Sequence, residues 1–247
     1  MAHRVASWRH LQKLYGGDRV FEELSADIRR WTAPHPEWRP RVAWAQEVAC
    51  FAVIAGEDLV LVDPLAPEDE ESFWAELDRL VADSGARRLA VLITIHYHVR
   101  SAGPVYRRYR DRFEASVHGH PSISDGRLGP DVPVSPIEPG RPLPAGAQAF
   151  AIGKPRRRET PIYLPSARAL AFGDAVVGVE GDLRVWETSD TGTNREWYEQ
   201  RFLPTLRPLL ELDVENVLVT HGPPVIGGGR DRLRRGLDAP PWSMRSG

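Results

Sequence analysis

His96 and His98 are separated by a single tyrosine at the end of an apolar run, Ile93-Thr94-Ile95-His96-Tyr97-His98. In extended chain or the first turn of a loop, such a pair can turn both imidazoles toward one centre. Three other apolar runs end in side chains able to join them: Leu59-Val60-Leu61-Val62-Asp63, Ala171-Phe172-Gly173-Asp174 and Leu218-Val219-Thr220-His221. Two imidazoles and a carboxylate with one open position are what a catalytic zinc needs to bind water and acidify it. Each residue alone also has a purely structural reading. Asp63 before Pro64, Asp174 after Gly173 and His221 before Gly222-Pro223-Pro224 are all able to start or close turns. Their common position at strand ends is what argues for a site.

The elements that must position them follow from apolar patterning. Buried strands are expected over 48–55, 58–62, 89–95, 168–172 and 216–220, with Gly56-Glu57 as a hairpin turn between the first two. Between the second and third, Phe73, Trp74, Leu77, Leu80 and Val81 recur at helical spacing behind an acidic first turn, giving a helix over 70–82. Further helices are expected over 103–113 and 194–212, the latter kinked or divided by Pro204 and Pro208. The proline-rich stretch 129–144 reads as a long surface connection within one domain, because proline suits neither a helix interior nor a central strand. Alternating strands and helices imply an α/β domain with helices covering sheet. In such sheets sites collect beyond the carboxyl ends of strands, so the four polar ends should converge.

Composition removes several other classes. With 247 residues and a net charge of −2, the chain carries no global attraction to nucleic acid or to an anionic membrane. The longest apolar runs are too short or interrupted for the ~20 residues of a membrane span, and the first residues lack a secretory apolar core. A cytoplasmic protein acting on a small molecule is therefore expected. The lone cysteine, Cys50, sits in the apolar run Val48-Ala49-Cys50-Phe51 and reads as a core residue. No phosphate-binding Gly-x-x-x-x-Gly-Lys-Ser/Thr loop and no Gly-x-Ser-x-Gly elbow occurs. His118 and His120 form a second His-x-His pair, read as rim or turn residues, and His3, His10 and His35 read as solvated. The run Arg156-Arg157-Arg158 reads as a solvent-facing edge that could take an anion beside the site.

From Val48 to His221 the order of elements resembles the metallo-β-lactamase superfamily: a hairpin ending in Asp63, a helix, a strand entering His96-Tyr97-His98, a strand ending in Gly173-Asp174 and a late strand ending in His221-Gly222. The resemblance implies a metallo-β-lactamase-like αβ/βα sandwich, with mixed sheets covered by helices, as a single domain over 1–247. Residues 1–40 would be an N-terminal extension and 222–247 a C-terminal tail. It also implies that His96 and His98 match the first two metal ligands, Asp174 the bridging carboxylate and His221 the last ligand. Asp63 matches the acidic residue that supports the site from behind.

The departures from the family pattern matter as much. Arg100 and Ser101 stand where the family has an aspartate and a histidine, and the stretch 153–160 lacks the third histidine. Replacing −1 by +1 beside a dication costs several kcal/mol even at an effective dielectric of about 20, so a dinuclear centre is not expected. Two readings follow. In the first, His96, His98, Asp174 and His221 hold one zinc whose water hydrolyses an ester, thioester, amide or phosphoester. Asp174 or Asp63 orients that water, and Tyr97 or the basic segment from Lys154 to Arg158 meets the developing charge. In the second, Arg100 pairs with Asp174 in place of metal and the cavity, free of metal, binds a small anionic ligand.

Overall fold

The structure is a computed structural model that describes residues 20–40, 42, 44–123, 127–187 and 198–242. Seven strands form a first sheet in sequence order: β1 (Glu22–Glu23), β2 (Ile28–Pro34), β3 (Glu47–Ala55), β4 (Asp58–Val62), β5 (Arg88–Leu92), β6 (Glu114–Gly119) and β7 (Val134–Pro136). Its first half is antiparallel through β2, β3 and β4, and its second half is parallel from β4 to β7. The parallel half requires crossovers, supplied by α1 (Glu70–Asp83) between β4 and β5 and by α2 (Ala102–Tyr109) between β5 and β6. Asp69 caps α1 by accepting from the Ser72 amide, and Phe73, Leu77 and Val81 form its buried stripe.

A second sheet runs in the order β14, β13, β10, β9, β8, from β8 (Gln148–Ala149), β9 (Ile162–Leu164), β10 (Ala169–Phe172), β13 (Asn216–Val219) and β14 (Val225–Ile226). The hairpin of β11 (Val176–Val179) and β12 (Asp182–Val185) stands beside it. Its outer face is covered by the segment of Tyr198–Phe202, α3 (Leu203–Leu206) and Arg207–Glu211, together with α4 (Gly229–Asp238).

Period-two alternation sorts each strand between two layers of core. In β3 and β4, Ala49, Phe51, Val53, Val60 and Val62 face the second sheet, while Val48, Cys50, Leu59 and Leu61 face α1 and α2. In β10, Ala169 and Ala171 face the first sheet and Leu170 and Phe172 face the outer helices. The result is a four-layer sandwich, helices on sheet on sheet on helices. Because every central strand is covered on both faces, each reads as a continuous apolar run.

Most elements lie within a few residues of their expected places, with informative differences. The strand expected over 89–95 ends at Leu92, which frees residues 93–98 to form the loop that carries the histidines. Strand β7 arises inside the proline-rich connection, at the sheet edge where proline is tolerated. Residues 28–34, placed in an N-terminal extension, instead pair along their whole length with β3. Residues 222–247, placed in a tail, supply β14 and α4. The helix expected over 194–212 begins partly outside the described residues, and from Tyr198 onward it is broken into short turns at Pro204 and Pro208.

The two sheets meet closely at one rim, where the Ala49 amide donates to the Thr220 carbonyl at 2.8 Å. Two glycines make that rim possible. Gly222 has φ +82°, and a Cβ there would lie 1.9 Å from the Gly178 carbonyl oxygen, while the Gly178 amide donates to the His221 carbonyl at 2.9 Å. Gly222→Ala therefore forces apart the loops that hold His221. It is expected to lower unfolding free energy by at least about 2 kcal/mol in a urea titration.

Candidate functional site

The carboxyl ends of β4, β5, β10 and β13 lie on one edge of the sandwich, since β4 and β5 are parallel in one sheet and β10 and β13 in the other. Asp63, 1% exposed with φ +47°, ends β4 and turns its carboxylate under the β5 loop. It accepts from the Thr94 amide at 2.8 Å, from the Thr94 hydroxyl, and faces His98 Nδ1 at 2.9 Å. With an ionised Asp63 the proton of that contact belongs on Nδ1, so His98 turns Nε2 inward. His98 is 3% exposed, and burial, then the Arg100 charge, lowers its pKa from 6.5, leaving the ring neutral near pH 7.

Asp174 lies at the centre. It is 5% exposed, and its oxygens face opposite sides. Oδ1 has His221 Nε2 at 3.4 Å and His98 Nε2 at 3.6 Å. Oδ2 takes the Arg156 guanidinium at 3.1 Å and the Tyr97 hydroxyl. The Nδ1 of His221 is buried without a partner, which places that ring's proton on Nε2, toward Asp174. Burial alone raises a carboxyl pKa. Here the polar contact with His221 and the charge of Arg156 outweigh it and hold Asp174 well below the usual range. Arg156, 8% exposed, stacks over Trp186 at 5.2 Å, and Trp186 and Trp44 pack edge-on against His221 at 5.0 and 5.6 Å.

The segment 153–160, where the resemblance led us to expect a histidine, runs beside the β5 loop. Glu159 bridges to Ile95, and the Thr160 amide donates to the Thr94 carbonyl at 2.7 Å. From there Arg156 reaches Asp174, and Glu159 reaches the turn that holds it, accepting from the Gly173 and Ala175 amides at 3.0 Å each. Glu159 is 1% exposed and its second oxygen has no partner. Burial, then the Asp174 charge, pushes its pKa up to about 8, so it is protonated at neutral pH.

Four predicted site residues thus come together: Asp63, His98, Asp174 and His221, with the Tyr97 hydroxyl. His96 does not join them. It lies on the rim, its Nδ1 without a partner, among the charges of Arg158 and Arg127, and together with burial these lower its pKa. The expected Arg100–Asp174 pair is corrected. Arg100, at φ +36°, bends under the loop and donates to the Asp63 carbonyl at 3.1 Å, beside Cys50 Sγ at 3.9 Å; the partner of Asp174 is Arg156. Ser101 accepts from the Ala66 amide at 2.9 Å, away from Asp174. Lys154 is exposed outside the cavity beside the site, which Pro155, Arg156, Arg157 and Arg158 line instead. His35, read as solvated, packs on Trp44 at 5.0 Å, and burial followed by the Arg100 charge lowers its pKa to about 4. His118 and His120 are tied to Ser116 and Ser122. His3 and His10 lie outside the described residues.

The donor set does not suit a metal ion as it stands. Among the described residues, no group of three or more His, Cys, Asp or Glu side chains is disposed to hold one. The obstacle lies at Asp174: one oxygen is committed to Arg156 and Tyr97, while the other, without a hydrogen-bond partner among the described residues, has His221 Nε2 and His98 Nε2 at 3.4 and 3.6 Å. A dication there would lie beside a fixed guanidinium, at a cost of several kcal/mol even with an effective dielectric of about 20.

No family model and no curated protein sequence matches the chain. Solved structures do. DIM-1 metallo-β-lactamase aligns with TM-score 0.61 at 13% identity, covering 88% of this chain and 94% of its own. A metallo-β-lactamase from Pontibacter korlensis aligns with TM-score 0.59 at 13% identity, over 88% of this chain and 98% of its own. The metal-soaked Flv1 flavodiiron core from Synechocystis aligns with TM-score 0.59 at 14% identity, over 88% of this chain and 60% of its own. The chain has the metallo-β-lactamase fold. At these identities the likeness speaks for the fold and not for an activity.

In the sequence Arg156 reads only as part of a basic run beside the site, and Glu159 and Trp186 do not read as site residues; the pairing of 159 with Ile95 carries Arg156 and Glu159 inward. The raised Glu159 pKa has a measurable consequence. Below about pH 4.5 the group is protonated folded or unfolded. Between there and about 8 the unfolded chain loses the proton that the native state keeps, so stability falls as pH rises. Glu159→Gln keeps an acceptor for the two amides and removes that titration. Its melting temperature, compared with wild type from about pH 5 to 8, is expected to gain on wild type as pH rises.

Proposed function

We propose that this metallo-β-lactamase-fold protein works without a bound metal, as a binding protein for a small anionic molecule, with an arginine at its centre where a metal-dependent relative would place cationic charge. The observation that carries this reading is the buried pair of Arg156 with Asp174 at 3.1 Å, reinforced by Tyr97. A guanidinium paired with a carboxylate leaves no net charge to attract a cation, and it orients the remaining donors. Beside the pair opens a cavity of about 300 Å³, bounded by Ile95, His96, Tyr97, Arg156, Arg157 and Arg158, which suits a small ligand of negative charge. Arg127 donates to the His96 carbonyl at 3.2 Å and adds positive charge at the same rim. No helix among the described residues is long and apolar enough to cross a membrane.

One observation favours the second reading, hydrolysis by a single zinc: His98 Nε2 and His221 Nε2 both approach Asp174 Oδ1, at 3.6 and 3.4 Å. Protein incubated with excess zinc, desalted and measured for metal content separates the two. The expected result is substoichiometric zinc, together with saturable calorimetric binding of inorganic phosphate or succinate that weakens several-fold in Arg158→Ala. One tightly held zinc per chain, lost in His98→Ala, overturns the proposal in favour of the hydrolase, and absence of anion binding overturns it outright.

A further inference from the structure

The guanidinium of Arg156 is used on one side only. Its Nη1 donates to Asp174 and lies 3.4 Å from the Tyr97 hydroxyl, whereas Nε and Nη2 are buried and have no hydrogen-bond partner among the described residues. Buried donors left without an acceptor cost on the order of 1–3 kcal/mol each, more for charged groups, so an arginine edge in this state asks for an occupant. Glu159 does not supply one. One of its oxygens is engaged by the Gly173 and Ala175 amides, the other has no partner, and no ion pair joins it to Arg156. The Trp186 face holds the guanidinium plane in position, and the side chain lines the cavity. The Nε–Nη2 edge presents two parallel N–H groups, the geometry that receives two oxygens of one carboxylate or phosphate.

Charge sets the ligand class further. Arg156, Arg157 and Arg158 line the cavity and no carboxylate side chain does among the described residues, Asp174 lying behind it on Arg156. Arg156 is 8% exposed at the inner end, whereas Arg157 and Arg158 are exposed at the mouth. Resting on the anion-binding reading above, we infer that the ligand is a small organic dianion, one oxyanion held bidentately by the Nε–Nη2 edge of Arg156 and a second negative charge met by Arg157 and Arg158. A dicarboxylate and a phosphomonoester share this chemistry.

Calorimetry with succinate, phenyl phosphate and acetate on the full chain tests it. Wild type is expected to bind one of the two dianions at least about tenfold more tightly than acetate, and the tighter of the two identifies the inner oxyanion. Arg156→Lys keeps the charge beside Asp174 but lacks the two-pronged edge, and is expected to weaken that dianion about tenfold or more. As a check that does not depend on the variant folding, wild-type crystals soaked with the same probes are expected to show density against Nε and Nη2 of Arg156. Unchanged affinity in Arg156→Lys, or density confined to Arg157 and Arg158, overturns the inference while leaving the anion-binding reading intact. No binding of any probe by wild type overturns both.

Discussion

Asp174 carries a full negative charge into a place that water does not reach, and the groups around it are arranged to make that tolerable. A buried carboxylate without compensation would take up a proton or unfold its surroundings. Here a guanidinium and a phenol hydroxyl meet one of its oxygens, and the imidazoles of His221 and His98 lie at 3.4 and 3.6 Å from the other. Each of these partners is itself held by something else: Arg156 by the Trp186 face, His221 by two tryptophan edges. Asp63 plays the same part for His98, gripping it and Thr94 together. The rim where the sheets meet thus carries a polar network centred on Asp174, in which Asp174 Oδ1, Arg156 Nε and Nη2 and one Glu159 oxygen stay without a partner among the described residues.

Such a network has a functional cost and a functional use. Once Arg156 is paired with Asp174, one oxygen of the carboxylate is committed to a guanidinium. The same arginine lines a cavity together with Arg157 and Arg158, and its Nε and Nη2 are buried without a partner among the described residues. The scaffold is retained because the sandwich depends on apolar layers and on glycines at the rim, and these are indifferent to which charges sit at the strand ends.

Glu159 shows how narrow the charge balance is. It lies against the same turn as Asp174, and two ionised carboxylates so close in a dry interior would repel each other. One of them stays protonated, and environment decides which. Asp174 has a guanidinium and an imidazole donor on its oxygens, whereas Glu159 has two backbone amides on one oxygen and nothing on the other.

Much was legible in the chain before any coordinates. Apolar runs ending abruptly in Asp63, Asp174 and His221 marked the strand ends, because a covered strand must be apolar throughout and a polar side chain can appear only where the cover stops. The helix after β4 was equally plain from its spacing. The identity of the charged partner was not. Arg100 is near Asp174 in the family pattern, yet a left-handed backbone turn sends it beneath the loop. Arg156 lies in the stretch where that pattern has its third histidine, and antiparallel pairing at Glu159 carries it to Asp174. Sequence by itself determined the layers and the edge on which a site must lie, since hydrophobic periodicity is a local property. Only the tertiary structure decided which cation neutralises Asp174, because that depends on where two non-adjacent loops cross and on which long side chain can span the gap.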